Sequence, residues 1–439
     1  MSENKSKIKK ISTESYKGVR DFYPSDMAIQ NHIFATCKKV VEKFGYQEYS
    51  ASVLEPAELY RAKSGEELVN EQTYTFIDRG EREVTLRPEM TPTVARMVAG
   101  KKRELSFPLR WYSIPNLFRY EQPQRGRLRE HWQLNVDLFG VKSLQAEVEV
   151  ISLAVEILRA FGLKDQQFAV RVNNRKIVNF IMNEVLELSA DNAHALAKII
   201  DRKAKMPANE FESKTEAIVG LKYDLFKELI NSQNFENFIS ILPVSMQTYE
   251  GILETKAVIE NLEKLGITNV IFDQTLMRGF DYYTGTIFEI FDTNPDNRRS
   301  VFGGGRYDDL LAIFGQEKVP TIGFGAGDVV MKDLLETYGL LPAETSKTRL
   351  YIALADDTAT AFAQDLAQNL REAGVSVALD YSDKKIGDQI KYADKNKIPF
   401  VTVIGADEVK SGQFKVKNMT TGEEKVATEK EIVGIVKQK

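Results

Sequence analysis

The chain has 439 residues but only one cysteine, Cys37, with three histidines and two tryptophans. A single thiol rules out an intrachain disulfide and a cysteine-built zinc site. His32, His131 and His194 are far apart in sequence, which argues against a histidine-rich metal centre. Basic residues are not in excess either: 59 Lys and Arg face 63 Asp and Glu, a formal net charge of -4. A nucleic-acid partner would therefore have to meet a local patch, because no global positive field exists. No apolar run approaches the length of a membrane span. The opening MSENKSKIKKISTESYKG has no hydrophobic segment of the secretory kind, so residues 1–17 are expected to be a flexible leader and the protein cytoplasmic. The GxxxxGK phosphate loop is absent, and no glycine-rich turn opens an early βαβ unit, so the main body is neither a P-loop nor a Rossmann nucleotide site.

What is present is an ordinary globular composition, 43% hydrophobic and 28% charged, in a chain long enough for two or three cores. Over residues 26–44 the apolar side chains Ile29, Ile33, Val40, Val41 and Phe44 recur at helical spacing, and Gly45 closes the helix. Residues 46–54 alternate toward strand and stop at Pro56. Short strand-like runs broken by Gly and Pro over 73–140 predict an antiparallel sheet. Residues 173–265 are helical, with apolar faces through Ile177, Phe180, Ile181 and Leu186, then Leu196, Ile199 and Ile200. Sheet character returns over 269–335, so the helical block reads as an insertion between two halves of one sheet. After the loop at 339–342, RLYIALADD, a helix through Phe362, Leu366 and Leu370, and VSVAL predict a separate β-α-β domain. A second helix over 384–396 and the strand FVTVIG extend it.

The stretch LMRGFDYYTGTIF (276–288) followed by FGGGRYDDL (302–310) carries the densest chemistry. Arg278, Asp281, Tyr282 and Tyr283 beside a strand suit a pocket that grips an anion and a small polar ring. In NLFRYEQPQRGRLREHWQLNVDLFG (116–140), Arg119 and Glu121 alternate with Phe118 and Tyr120. Arg125, Arg127 and Arg129 line a loop, and Gln133, Asn135 and Asp137 alternate down the returning strand. Two readings stand: a floor for a charged ligand with a loop that grasps phosphate, or a sheet with one wet face. TLRPEMTP (85–92) either aims Glu89 and Thr91 at an ammonium group or starts a helix with proline in its first turn. The cluster 303–305 allows close backbone approach by a nucleotide or simply makes a tight turn. Small residues in GFGAG (323–327) either receive an adenine or let the following helix pack.

In order along the chain these pieces resemble the signatures of class II aminoacyl-tRNA synthetases, in the histidyl-tRNA synthetase version. GYQEYSASVLEP is similar to motif 1, the dimer-forming element, with Pro56 as its proline. FRYE with QRGR resembles motif 2. LMRGFDYY and GGGRYDDL resemble segments peculiar to the histidine enzymes. The resemblance implies an α+β fold: a class II antiparallel catalytic core at 18–172 and 266–338, a helical insertion at 173–265, and a C-terminal α/β anticodon-binding domain at 346–439. It implies ATP-dependent ligation of L-histidine to tRNA-His through histidyl-adenylate, by a homodimer, with Mg²⁺ accompanying ATP through ligands that the motifs do not name.

Residue by residue, the resemblance implies that Arg119 and Arg278 hold the α-phosphate and the histidine carboxylate. Glu121 would meet the adenine end of ATP, with Arg127 at the phosphates. Glu89, Thr91 and Gln133 would take the α-ammonium, Asp137 and Tyr283 the imidazole nitrogens, with Tyr282 beside them. Arg125 and Arg129 are the expected tRNA contacts. Two departures stand out. Val330 falls where motif 3 usually carries an arginine that packs on ATP; either another arginine supplies the charge, with Arg306 the expected substitute, or ATP binding is weaker. Asp137 falls where many members carry glutamate. Two other classes remain open at this stage: a regulatory paralogue that kept the fold without aminoacylation, and a tRNA-binding sensor without catalysis.

Overall fold

The computed structural model describes residues 11–61, 72–277, 283–297 and 299–437, arranged in two compact units, Met1–Leu341 and Pro342–Lys439. The first helix, α1 (Pro24–Lys43), starts on a proline whose φ is already helical and has Asp26 in its first turn and Lys43 in its last, matching the helix dipole. It buries Ile33, Cys37, Val40 and Val41 and ends before Gly45, which adopts φ +82.

A short strand β1 (Gln47–Glu48) follows, and then a small antiparallel sheet of Leu54–Pro56, Glu83–Leu86 and Tyr74–Ile77. Helix α2 (Thr91–Lys101) begins with proline at its N-terminus, so TLRPEMTP does start a helix. Strands β2 (Leu109–Ser113), β3 (Asn116–Phe118) and β4 (Glu130–Phe139) come next, then helix α3 (Gln145–Ala160) and strand β5 (Phe168–Asn174). A run of helices from Arg175 to Lys264, the last being α4 (Glu250–Lys264), returns through β6 (Val270–Phe272). Strands β7 (Thr286–Asp292), β8 (Ser300–Arg306) and β9 (Thr321–Gly327) lead into α5 (Asp328–Thr337).

The strands join in one sheet in the order β1-β2-β4-β9-β8-β7-β5-β6, with β3 paired to β4. All neighbours are antiparallel except β1–β2 and β5–β6. The helical block therefore leaves from the end of β5 and returns to the same sheet beside it, as an insertion with its own core of Leu196, Ile200, Phe211 and Phe226. One face of the sheet is mainly apolar, its charges Arg110 and Arg306 paired with Glu149 and Glu147 of α3. Leu134, Val136 and Leu138 of β4 join Ile322 and Phe324 of β9 over α3, a helix so buried that Val150, Ile151, Leu153, Ala154 and Val155 are all out of solvent.

The second unit holds a five-stranded sheet. Val377–Leu379, Leu350–Leu354 and Phe400–Ile404 run parallel, and Phe414–Asn418 and Glu424–Ala427 add an antiparallel hairpin that periodicity had not disclosed. The helices Thr360–Glu372 and Ile386–Lys395 fall where the sequence places them.

Gly304 lies on the apolar face of β8, where the Phe302, Phe324 and Phe288 rings converge with centroids 5.3 and 6.3 Å from Phe324. A Cβ there would sit 2.7 Å from that of Phe324 and closer still to the Gly323 carbonyl. Gly304→Ala is therefore expected to cost about 3 kcal/mol. Both tryptophans, Trp111 and Trp132, lie in this unit, so a lowered urea midpoint in intrinsic fluorescence checks it. Gly434→Ala, in the open interior of the C-terminal helix of the other unit, should leave that transition in place.

Candidate functional site

The period of two that sends Leu134, Val136 and Leu138 into the core turns Gln133, Asn135 and Asp137 to the opposite face of β4. Their cross-strand partners on β9 are glycines: Gly323 faces Asp137 and Gly325 faces Asn135. On β8, Gly303 and Gly305 continue the row. Without Cβ atoms the neighbouring side chains lie flat across the floor. A Cβ on Gly325 would stand 2.8 Å from the Gln133 amide nitrogen, and one on Gly323 would stand 2.7 Å from the Tyr307 hydroxyl. The glycines thus form a bare patch of sheet with polar groups leaning over it.

Asp137 is 4% exposed, and the Tyr307 phenol donates a hydrogen bond to its Oδ1. Burial pushes the Asp137 carboxyl up to about 7, against the lowering effect of that bond. The Tyr283 ring stands 6.3 Å from Tyr307 and would touch a Cβ on Gly305 at 3.0 Å. Asp137, Tyr307 and Tyr283 are therefore one cluster. Tyr49 lies beside Trp111 at the same end of the sheet; burial, and then the Asp137 charge, hold its phenol well above the usual range. The resemblance gives Tyr307, within GGGRYDDL, no role. Its signal was the phenol following a strand whose register faces Asp137 across β9.

The second cluster gathers at the start of α2 and the end of β3. Arg119 Nε donates to the Pro88 carbonyl at 2.8 Å, which sets the guanidinium against the turn bearing Glu89 and Thr91. Arg87 has another task. Buried at 5%, it donates to the carbonyls of Ala51, Ser52 and Asn116 and ties three segments together. Strict alternation ends at Phe118, because Glu121 N bonds the Arg119 carbonyl at 2.7 Å in a tight turn. The Glu121 carboxylate then meets Arg127 Nη1 at 3.1 Å. His131, weighed in the sequence only as a metal ligand, is within electrostatic reach of Arg119 and Arg20. Burial, and then those cations, depress its imidazole to about 3, so it is neutral at working pH.

Two expectations are corrected here. Arg306 cannot stand in for the missing arginine of motif 3: it is buried, with Nε and Nη2 on the Glu147 carboxylate and Nη1 on the Val141 carbonyl, 3.4 Å from Asp308. Its charge is neutralised inside the protein. Arg129 braces the base of the loop, donating to the Glu121 carbonyl and the Tyr16 hydroxyl and stacking 4.0 Å over Tyr120, which leaves it unsuited to RNA. That Tyr16 contact also brings the end of the supposed leader into the folded unit. Gly18 accepts from Arg129 N, and Arg20 pairs at 2.7 Å with Asp328, which also accepts from Trp132 N. Arg125 remains exposed on the loop. Arg278, Asp281 and Tyr282 lie outside the described residues.

Two family models match the chain: "Histidyl-tRNA synthetase" over residues 18–327 and "Anticodon binding domain" over 346–439. A histidine–tRNA ligase of Leptospira biflexa is 45% identical over 423 residues, covering 94% of this chain and 95% of that protein. One from Haloarcula marismortui is 38% identical, covering 94% of each. The crystal structure of histidyl-tRNA synthetase from Nostoc sp. PCC 7120 shares the fold with a TM-score of 0.82 at 23% identity, over 98% of this chain and 99% of that one. The apo S. aureus enzyme gives 0.72 at 26% identity, over 97% and 100%. Matches that run through both units, from the glycine-floored sheet to the C-terminal strands, place the chain in the histidyl-tRNA synthetase family.

Proposed function

We propose that the protein joins L-histidine to tRNA-His in two steps. Histidine and ATP give histidyl-adenylate and pyrophosphate, and the histidyl group then passes to the terminal ribose of tRNA as AMP leaves. The observation that carries this reading is the buried Asp137 carboxylate, held by Tyr307 over a glycine floor beside Tyr283. An imidazole offers what this cluster needs: an N–H donor for the carboxylate and a ring nitrogen to accept from the Tyr283 phenol. A leucine or phenylalanine side chain in the same slot would offer the buried Asp137 carboxyl no N–H, which costs far more than a missing methylene. Selectivity then needs no hydrolytic editing module.

In the first step a carboxylate oxygen of histidine forms a bond to the α-phosphorus and the bond to the pyrophosphate oxygen breaks. Arg119 and Arg278 would neutralise the charge that builds on the phosphorus oxygens, with Arg119 already aimed by the Pro88 carbonyl. Glu89, Thr91 and Gln133 would receive the α-ammonium. Glu121 would meet the adenine and Arg127 the phosphates. Tyr282 would line the slot. Among the described residues no three Asp, Glu, His or Cys side chains form a metal cage, so Mg²⁺ would enter on the nucleotide.

A homodimer in the cytoplasm is the proposed assembly. The exposed Leu54, Phe76 and Ile77 of the small sheet, 46, 47 and 64% accessible, are apolar surface that a second subunit would cover. No helix among the described residues is long and apolar enough to cross a membrane. Arg125 and the second unit are the proposed tRNA contacts.

Histidine-dependent ATP–pyrophosphate exchange is the direct test. Arg119→Ala and Arg278→Ala should each lower exchange by roughly a hundredfold or more with the fold retained; unchanged exchange in either would remove the assigned role. Asp137→Asn should raise the histidine KM by roughly tenfold to a hundredfold and leave that for ATP alone. It also has a signature in stability. The folded-state value of Asp137 is raised above its ordinary one, to about 7. Its contribution is therefore fully present below the unfolded value, near 4, and is lost as pH rises through about 7. The melting temperature of Asp137→Asn relative to the parent should climb between pH 5 and pH 8, whereas parallel melting curves would refute a buried, poorly solvated carboxyl.

A further inference from the structure

Arg299 lies on the connection between β7 and β8, and its side chain runs against the tip of the 122–129 loop. A Cβ on Gly126 would stand 2.6 Å from Arg299 Cδ and 2.9 Å from its Nε. Gly126 itself, at φ +73, turns the loop and leaves the room that the arginine occupies. The same absent Cβ would lie 3.7 Å from Val330 Cγ2. The third residue of α5 therefore looks toward this loop without a charge, and the Arg299 stem lies beside it.

The connection that bears Arg299 is anchored independently of it. Asn297 donates to Asp292 and, at 3.0 Å, to Thr337, and the Tyr338 hydroxyl donates to Asp292 at 2.6 Å. Arg125 reaches the same connection, donating to Asn297 at 3.3 Å, and its Nε is 3.8 Å from Asp333, one turn beyond Val330. Burial raises the Asp333 carboxyl; the charges of Arg125, Lys332 and Arg299 oppose that rise and that of Glu336 adds to it, so both arginines are within electrostatic reach of α5. With Arg127 on Glu121 across the loop, Arg125, Arg127 and Arg299 all come to one glycine turn, beside the carboxylates of Glu121, Asp333 and Glu336. Three forked donors gathered at one turn suit an anion of several charges.

We propose that Arg299 is a nucleotide-binding residue: it presents its guanidinium to the β- and γ-phosphates of ATP from the β7–β8 connection, where α5 offers only Val330. The proposal rests on the synthetase reading of the site and deepens it. A cation delivered from a neighbouring connection can neutralise the same oxygens as one delivered from the helix, because what a phosphate requires is a forked donor in place, whichever segment carries it. Arg306, the other arginine of this region, is ruled out by its buried bond to Glu147.

The experiment measures both substrates in ATP–pyrophosphate exchange, with melting temperature alongside, for Arg299→Ala, Arg299→Lys and the double variant Arg299→Ala/Val330→Arg. Arg299→Ala should raise the ATP KM by roughly tenfold to a hundredfold and leave the histidine KM within about twofold. Arg299→Lys should recover part of the loss, since an ammonium is a point charge without the fork. Val330→Arg should restore ATP affinity in the alanine background. An unchanged ATP KM in Arg299→Ala overturns the proposal. So does a loss shared by both substrates and by the melting temperature that Val330→Arg does not repair, which would make Arg299 a brace for the loop. If the parent protein shows no histidine-dependent exchange, it is the synthetase reading that fails. Calorimetric titration of ATP into the parent and Arg299→Ala then still decides whether Arg299 holds nucleotide.

Discussion

One strand separating two environments is the constraint on which the molecule is built. Every second residue of β4 must satisfy an apolar interior shared with α3, and every other residue must stay polar without water to solvate it fully. The glycines of β8 and β9 make this tolerable. They let Gln133 and Asp137 lie across the sheet instead of standing off it, so the polar groups find neighbours such as Tyr307 and leave a flat space above the backbone. A one-residue slip of register would send the carboxylate into the phenylalanine cluster and a leucine onto the floor. Binding chemistry and core packing are in that sense one property of the same ten residues.

Buried charge is handled in two ways. Where a cation serves architecture it is matched by a fixed partner: Arg306 by Glu147, Arg20 by Asp328, Arg87 by three backbone carbonyls. Losing either partner of such a pair would strand the other out of water. Asp137 is treated differently. Among the described residues the Tyr307 phenol is its donor, and desolvation outweighs that single bond. A carboxyl held so near neutrality is poised to take an N–H from outside, and perturbed groups of this kind collect where ligands bind.

Much of this was legible in the residues. The period-two run QLNVDLF fixed which side chains of β4 share a face, and the apolar helical periods of 26–44 and of Phe362, Leu366 and Leu370 fall on α1 and Thr360–Glu372. The resemblance assigned Arg119, Glu89 and Asp137 to one site, and Arg119 does lie against the turn that bears Glu89. What escaped was set by contacts that no local pattern encodes. Arg306 looked available because the residue that neutralises it, Glu147, stands 159 positions away on another element. Arg129 looked like an RNA contact because its partner Tyr16 belongs to a segment read as a leader. The hairpin of Phe414–Asn418 and Glu424–Ala427 was passed over because its outward residues are charged, which hides the alternation of Phe414 and Val416 behind them.

The Arg20–Asp328 pair spans 308 positions, and β4 is completed only when β9, close to the end of the first unit, pairs along it. During synthesis on the ribosome, neither the floor nor the underside of the arginine loop can therefore settle until more than three hundred residues have emerged. A nascent chain interrupted before that point would carry the FRYE and QRGR segments without a cleft to hold them. Truncated products are thus prevented by topology from sequestering the small molecules that the finished protein uses.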